Sequence, residues 1–112
     1  MRVVEKPWGN EIIFAETKDY VGKILTIRKG HRLSRQFHLV KDETFYVRAG
    51  ELKLEIGLPM AILTHVLKAG ETFHCPPNTV HRMIAETSLI EIIEVSTPQL
   101  DDVIRIEDDY GR

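Results

Sequence analysis

Two segments of this chain contain side chains that commonly bind metal ions. The first, LSRQFHLVKDE, contains Gln36, His38 and Glu43, and the second, GETFHCPPNTVHRMIA, contains His81. Imidazole nitrogens, carboxylate oxygens and glutamine carbonyl oxygens are all accepted ligands of divalent ions. These four residues would supply two nitrogen and two oxygen ligands. Such a set would leave one or two coordination positions open for a substrate.

Strand alternation predicts which of these side chains face the same way. Side chains at positions i and i+2 of a strand share one face. If His38 points into the protein, Gln36 and Ser34 therefore point inward with it. Glu43 begins the following strand and shares a face with Phe45. The ligands can meet if these strands line one common interior.

The rest of the chain has the pattern of many short strands. The apolar–polar runs are EIIFAE, GKILTIR, TFYVRA, ELKLEI, AILTHVL, HRMIAE and LIEIIEV. Turn residues separate them at short intervals, which is typical of an all-β sandwich or barrel. Gly50 is predicted to form the turn of a hairpin, and Asn78 a left-handed turn. Only the tail, residues 98–112, is a candidate helix.

Composition narrows the class of protein. The 112 residues are 43% hydrophobic and 29% charged, which suits one compact domain over residues 1–112. A net charge of −2 argues against a nucleic-acid or membrane-surface partner, which would need a basic excess. Cys75 is the single cysteine, so it cannot form an internal disulfide. The charged start and the lack of a long apolar run lead us to expect a cytoplasmic location.

The two motifs resemble those of the cupin superfamily. The first cupin motif is matched by Gly30, Gln36, His38, Glu43 and Gly50, and the second by Gly70, Pro76, Asn78 and His81. Gln36 stands where cupins usually have the first histidine. The resemblance implies a single-domain double-stranded β-helix, or jelly-roll barrel, with a short C-terminal tail.

Three further stretches indicate a narrower resemblance. KPWGNE, LSRQFH and DDVIRIEDDYGR are similar to the type II mannose-6-phosphate isomerase domain at the C-terminus of bifunctional isomerase/mannose-1-phosphate guanylyltransferases. This resemblance implies one divalent metal ion. We expect Zn first, with Mn, Co, Fe and Ni as alternatives. The chain departs from the family at Leu39 and Val40, where histidines are usual, and at Phe45, where tryptophan is usual.

Four further residues are candidates for contact with a substrate. Arg32 and Ser34 lie beside the first ligand segment, and a guanidinium group suits phosphate oxygens. Arg32 would otherwise be an ordinary solvated charge. Lys23 is a candidate catalytic residue if its strand turns it inward. The family resemblance implies a substrate-facing, catalytic Arg105, whose alternative role is an ion pair within the acidic tail.

Three functions remain open from the sequence. The first is a phosphosugar isomerase that interconverts an aldose and a ketose, such as mannose 6-phosphate and fructose 6-phosphate. The second is a metal-dependent dioxygenase, because the same ligands permit it and a fold does not determine its chemistry. The third is a non-catalytic sugar-binding or regulatory cupin. The expected partners are a small phosphosugar and a second copy of the chain, since exposed strand edges invite pairing.

Overall fold

The computed structural model describes all 112 residues as strands joined by turns and loops. The strands are β1 (Arg2–Lys6), β2 (Gly9–Glu16), β3 (Val21–Ile27), β4 (Arg35–Phe37), β5 (Glu43–Ala49), β6 (Glu51–Ile56), β7 (Leu63–Lys68), β8 (Thr72–Cys75), β9 (His81–Ile84), β10 (Ile90–Ser96) and β11 (Ile104–Glu107). No part of the fold is a long apolar helix with which a chain could cross a membrane.

The strands form two antiparallel sheets. The first has six strands in the order β1-β2-β3-β10-β5-β8, and the second has five in the order β11-β4-β9-β6-β7. Fourteen buried residues from both sheets pack into one hydrophobic core. The all-β prediction is confirmed.

The inward rows of β5 and β10 change from apolar to polar along their length. In β10, Ile90 and Ile92 are fully buried, and the same row continues with Glu94. In the neighbouring β5, Val47 is fully buried while Glu43, at the start of the strand, is 2% exposed. The register pairs these strands in antiparallel fashion, so that their polar ends lie side by side. The interior therefore has an apolar part and a polar part.

The predicted hairpin at Gly50 is wrong. Strand β5 pairs with β10 and β8, whereas β6 pairs with β9 and β7, so the chain crosses from one sheet to the other at Gly50. Gly50 has a φ of +79°, and a Cβ there would lie 2.4 Å from the carbonyl oxygen of Leu89. Glycine between two alternating runs looks the same in a hairpin and in such a crossing.

The predicted helix in the tail is also wrong. Residues Ile104–Glu107 form β11, which pairs with β4. Their two-residue alternation fits a strand better than a helix. Acids of the tail pair with buried arginines: Glu107 lies 2.6 Å from Arg35, and Asp109 lies 3.0 Å from Arg82. These ion pairs hold the tail against the second sheet.

Candidate metal centre and its cavity

Three of the four predicted ligands form one buried cluster. The Nε2 atom of His38 lies 3.1 Å from Oε2 of Glu43, and Nε2 of His81 lies 3.4 Å from the same oxygen. One ligand atom from each residue lies within 4.8 Å of the others. Each of the three residues is 5% exposed or less. Two imidazole nitrogens and one carboxylate oxygen thus lie close enough together to be ligands of one ion.

Strand ends and one loop bring these side chains together. His38 directly follows β4, Glu43 begins β5 and His81 begins β9. The two motif segments touch where the backbone N–H of Asn78 donates to the carbonyl of His38 at 2.7 Å. Asn78 has a φ of 65°, which confirms the predicted left-handed turn. The turn places His81 opposite the first segment.

Both imidazoles are oriented by main-chain carbonyls. Nδ1–H of His38 donates to the carbonyl of Asp102, and Nδ1–H of His81 donates to the carbonyl of Thr79 at 2.8 Å. A carbonyl can only accept, so Nδ1 carries the hydrogen in each ring. Nε2 of each ring is then the atom directed at the cluster. Such second contacts are a regular feature of metal-bound histidines, and the residues therefore fit a divalent ion.

The charges of the cluster are strongly coupled. Burial acts to raise the pKa of Glu43, but hydrogen bonds from His38 and His81 and the nearby Lys41 hold it well below its usual range. Burial acts to lower the pKa of His81, yet hydrogen bonds with Cys75 and Glu43 raise it to about 10. The pKa of His38 is also raised, because its contact with Glu43 outweighs burial. Without a metal, the Glu43 carboxylate is stabilised by the protonated His81, by its contact with His38 and by the Lys41 ammonium.

The fourth predicted ligand, Gln36, lies beside the cluster. Its Cα is paired with that of His81 across β4 and β9, and its side chain lines the same cavity as the three clustered residues. Its role as a ligand stays a prediction. The neighbouring Arg35 points to the other side of the strand, where Glu55 and Glu107 bind it.

A cavity of about 430 Å³ opens from the cluster. Three of the four predicted substrate-contacting or catalytic residues line it, namely Lys23, Ser34 and Arg105. Arg32 does not line it. The Arg32 guanidinium is partly exposed and binds the carboxylate of Asp109 at 2.6 Å. The structure thus places Arg32 among the ion pairs of the tail.

Two of the cavity residues have polar groups with unusual surroundings. Ser34 is 1% exposed, and its hydroxyl oxygen has no hydrogen-bond partner within the protein. Buried hydroxyl groups are nearly always bonded, so this one is suited to a bound molecule. The Lys23 ammonium is buried between carboxylates of Glu11 at 3.5 Å and Glu94 at 3.9 Å. Its strand does turn it inward.

Sequence reasoning missed two charged residues beside the cluster. The Lys41 ammonium lies 3.0 Å from Oε1 of Glu43 and 3.5 Å from Glu94. Burial and the charge of Glu43 raise the pKa of Glu94. Lys41 lies two positions before Glu43, and Glu94 continues the inward row of Ile90 and Ile92. The same alternation that located the ligands could therefore have found both.

Leu39 and Val40, which replace the histidines usual in the family, lie on the outside of the site. Both side chains are more than half exposed. Their backbone N–H groups donate to the carboxylate of Asp102, at 3.0 Å for Leu39 and 2.7 Å for Val40. The loop is thus held by its main chain, and these substitutions do not remove a group from the buried cluster.

Comparison with known proteins identifies the family. The family model described as mannose-6-phosphate isomerase, C-terminal, matches residues 1–108. The chain belongs to this family. It is 32% identical over 117 residues to a mannose-1-phosphate guanylyltransferase of Salmonella montevideo, covering 99% of this chain and 24% of that protein. It is 30% identical over 113 residues to the alginate biosynthesis protein AlgA of Pseudomonas aeruginosa, covering 97% and 23%. The chain thus spans about a quarter of the length of these relatives.

Solved structures confirm the cupin fold. KdgF from Halomonas sp. superposes with a TM-score of 0.78 at 22% identity, over 90% of this chain and 91% of that one. The capsular polysaccharide assembling protein CapF from Staphylococcus aureus gives a TM-score of 0.82 at 16% identity, over 95% and 34%. A double-stranded β-helix protein from Klebsiella pneumoniae gives 0.74 at 22%, over 86% and 82%. At these identities the likeness concerns the fold alone.

Proposed function

We propose that this chain is a metal-dependent isomerase that interconverts mannose 6-phosphate and fructose 6-phosphate. The observation that supports it most is the buried cluster of His38, Glu43 and His81 at the end of a polar cavity. Membership of the mannose-6-phosphate isomerase family supports the choice of substrate. A cytoplasmic location, where sugar phosphates are available, belongs to the same proposal.

The metal ion would be held by His38, Glu43 and His81, with Gln36 as the fourth ligand. When bound, it supplies a Lewis acid that polarises a substrate carbonyl group. Zn is the ion we expect first, because its sites accept nitrogen and oxygen ligands and catalytic ones keep a position open.

Two basic residues are suited to the phosphate group. Lys6 and Arg105 both line the cavity, and neither makes a salt bridge. The other two arginines of the cavity are already paired, Arg2 with Glu16 and Arg112 with Asp108. An unpaired cation can bind a phosphate without first giving up a carboxylate. The Ser34 hydroxyl would bind a sugar hydroxyl.

The proton transfer between the two substrate carbons requires a base. Glu94 lines the cavity and is not needed as a ligand. Its raised pKa suits a group that takes a proton from one carbon and returns it to the next. Lys23, 3.9 Å from Glu94, would donate hydrogen bonds to the substrate oxygens as negative charge develops on them.

The test is to follow mannose 6-phosphate by NMR in D₂O with Zn- or Co-loaded protein. We expect fructose 6-phosphate to appear with deuterium at the carbon next to the carbonyl. The variants Gln36→Ala and His81→Ala should lose this turnover. His65→Ala is the matched control, because His65 is exposed on β7 outside the cavity.

The remaining outcomes separate the other two functions. A metal-loaded protein that binds the sugar phosphate without turnover would contradict the isomerase proposal and support a binding cupin. Oxygen uptake with Fe-loaded protein, and none with Zn, would support a dioxygenase instead.

A further inference from the structure

The two oxygens of the Glu43 carboxylate have different neighbours. Oε2 faces both imidazoles, with Nε2 of His38 at 3.1 Å and Nε2 of His81 at 3.4 Å. Oε1 makes no hydrogen bond within the protein, but the Lys41 ammonium forms an ion pair with it at 3.0 Å. Only one of the two oxygens is therefore directed at the space between the imidazoles.

Lys41 is held firmly enough to keep this arrangement. Its side chain is 5% exposed, and the ammonium also lies 3.5 Å from Oε2 of Glu94. Its backbone N–H donates to the carboxylate of Asp102 at 2.8 Å. If the ammonium left Glu43, a buried positive charge would lose one of its two partners, which is strongly unfavourable.

The ion pair between Lys41 and Glu94 continues into a series of alternating charges along one sheet. Glu94 lies 3.9 Å from the Lys23 ammonium, which lies 3.5 Å from Glu11. Glu94, Lys23 and Glu11 belong to β10, β3 and β2, three neighbouring strands of one sheet. The position of Lys41 is thus fixed by the sheet as well as by its own loop.

We propose that Lys41 is a positioning residue that occupies Oε1 of Glu43, so that this carboxylate offers a single oxygen to the metal. A carboxylate that binds through both oxygens uses an additional coordination position. By preventing this, Lys41 keeps that position available for a substrate oxygen. The inference rests on the metal site of the proposed function, but it does not depend on which sugar is bound.

Cobalt(II) is a suitable probe, because its visible absorption weakens when the coordination number rises. The experiment compares cobalt-loaded wild-type protein with Lys41→Met, which removes the charge at similar length, and Lys41→Arg, which retains a donor. Lys53→Met is the matched control, since Lys53 pairs with Glu86 outside the cavity. Cobalt affinity is measured on the same samples by competition with a chelator.

We expect the visible bands of Lys41→Met to weaken and shift as Oε1 joins the metal. Lys41→Arg and Lys53→Met should keep the wild-type spectrum. A folded Lys41→Met protein with the wild-type spectrum would overturn the inference. If Lys41→Met does not fold, a crystal structure of the zinc-loaded wild-type protein decides. If Oε1 of Glu43 contacts Lys41 and not the zinc, the inference is supported. If both Glu43 oxygens lie at about 2.0–2.2 Å from zinc, it is overturned.

This test distinguishes the inference from the proposed function. Wild-type protein without any cobalt bands would overturn the metal site itself, and the inference with it. Normal cobalt bands in a protein that fails to isomerise mannose 6-phosphate would overturn the proposed function alone.

Discussion

His81 shows at the level of one residue how protons would compete with the proposed metal ion for the site. Its Nε2 faces Glu43, and its Nδ1 is occupied by the carbonyl of Thr79 and by the nearby Cys75 sulfur at 3.4 Å. In the metal-free protein burial is outweighed by these contacts, and its pKa is raised to about 10. A metal ligand must be deprotonated. An ion that binds below that pH must therefore displace a proton from His81.

The resulting prediction concerns the pH dependence of metal binding. Between about pH 6 and about pH 9, the apparent affinity for Zn or Co should rise by about tenfold per pH unit for each proton displaced. Calorimetry in buffers of different ionisation enthalpy measures the number of protons released. Release of no proton, together with a pH-independent affinity, would contradict the protonated state assigned to His81.

The candidate ligands were predictable from the sequence because their spacing follows simple strand rules. Gln36 and His38 are two positions apart, and both line the cavity, although His38 lies just beyond its strand. Lys41 and Glu94 were missed because charged residues in loops and strands are usually solvent-exposed. Arg32 lies away from the cavity, where it pairs with Asp109. This position was hard to predict, because Asp109 belongs to a tail that is distant in sequence.

At the level of the strands, Gly50 lies where the chain passes from one sheet to the other. Its φ of +79° favours glycine, and its missing Cβ leaves room for the carbonyl of Leu89. Gly70 has a similar φ of +92°, but a Cβ there would meet nothing within 4 Å. Alanine substitutions at the two positions therefore separate the cost of a left-handed backbone from the cost of a steric clash.

Gly70→Ala should lower the free energy of unfolding by about 1–2 kcal/mol, the cost of a left-handed conformation. Gly50→Ala should lose about 1–3 kcal/mol more, because its Cβ overpacks a neighbouring backbone. Denaturant unfolding of the two variants measures the difference. Equal losses would contradict the close approach at Gly50.

The strands were easier to predict than their connections. Each apolar–polar run found in the sequence contains most of one strand, since alternation depends only on local residue order. The partner of each strand depends on contacts distant in sequence, such as β10 between β3 and β5. The tail was predicted to be a helix from its proline and its acidic residues alone. In the structure two of these acids pair with Arg35 and Arg82, which are distant in sequence.

At the scale of the whole molecule, the apolar core and the polar cavity share the interior between the two sheets. Apolar residues fill the core, while the polar ends of β5 and β10 and the tail surround the cavity. The sheets end at β1 and β8 and at β11 and β7. The edge strand β7 exposes Leu63 and Val66. A homodimer through strand edges stays a prediction.

In the proposed function, the cluster of His38, Glu43 and His81 holds the one ion on which isomerisation depends. The most direct measurement adds zinc in increments to metal-depleted protein and records the initial rate of fructose 6-phosphate formation. We predict a rate that increases linearly and levels off at one ion per chain, with no increase for His81→Ala. A rate that is independent of added metal, or equal in His81→Ala, would contradict the claim.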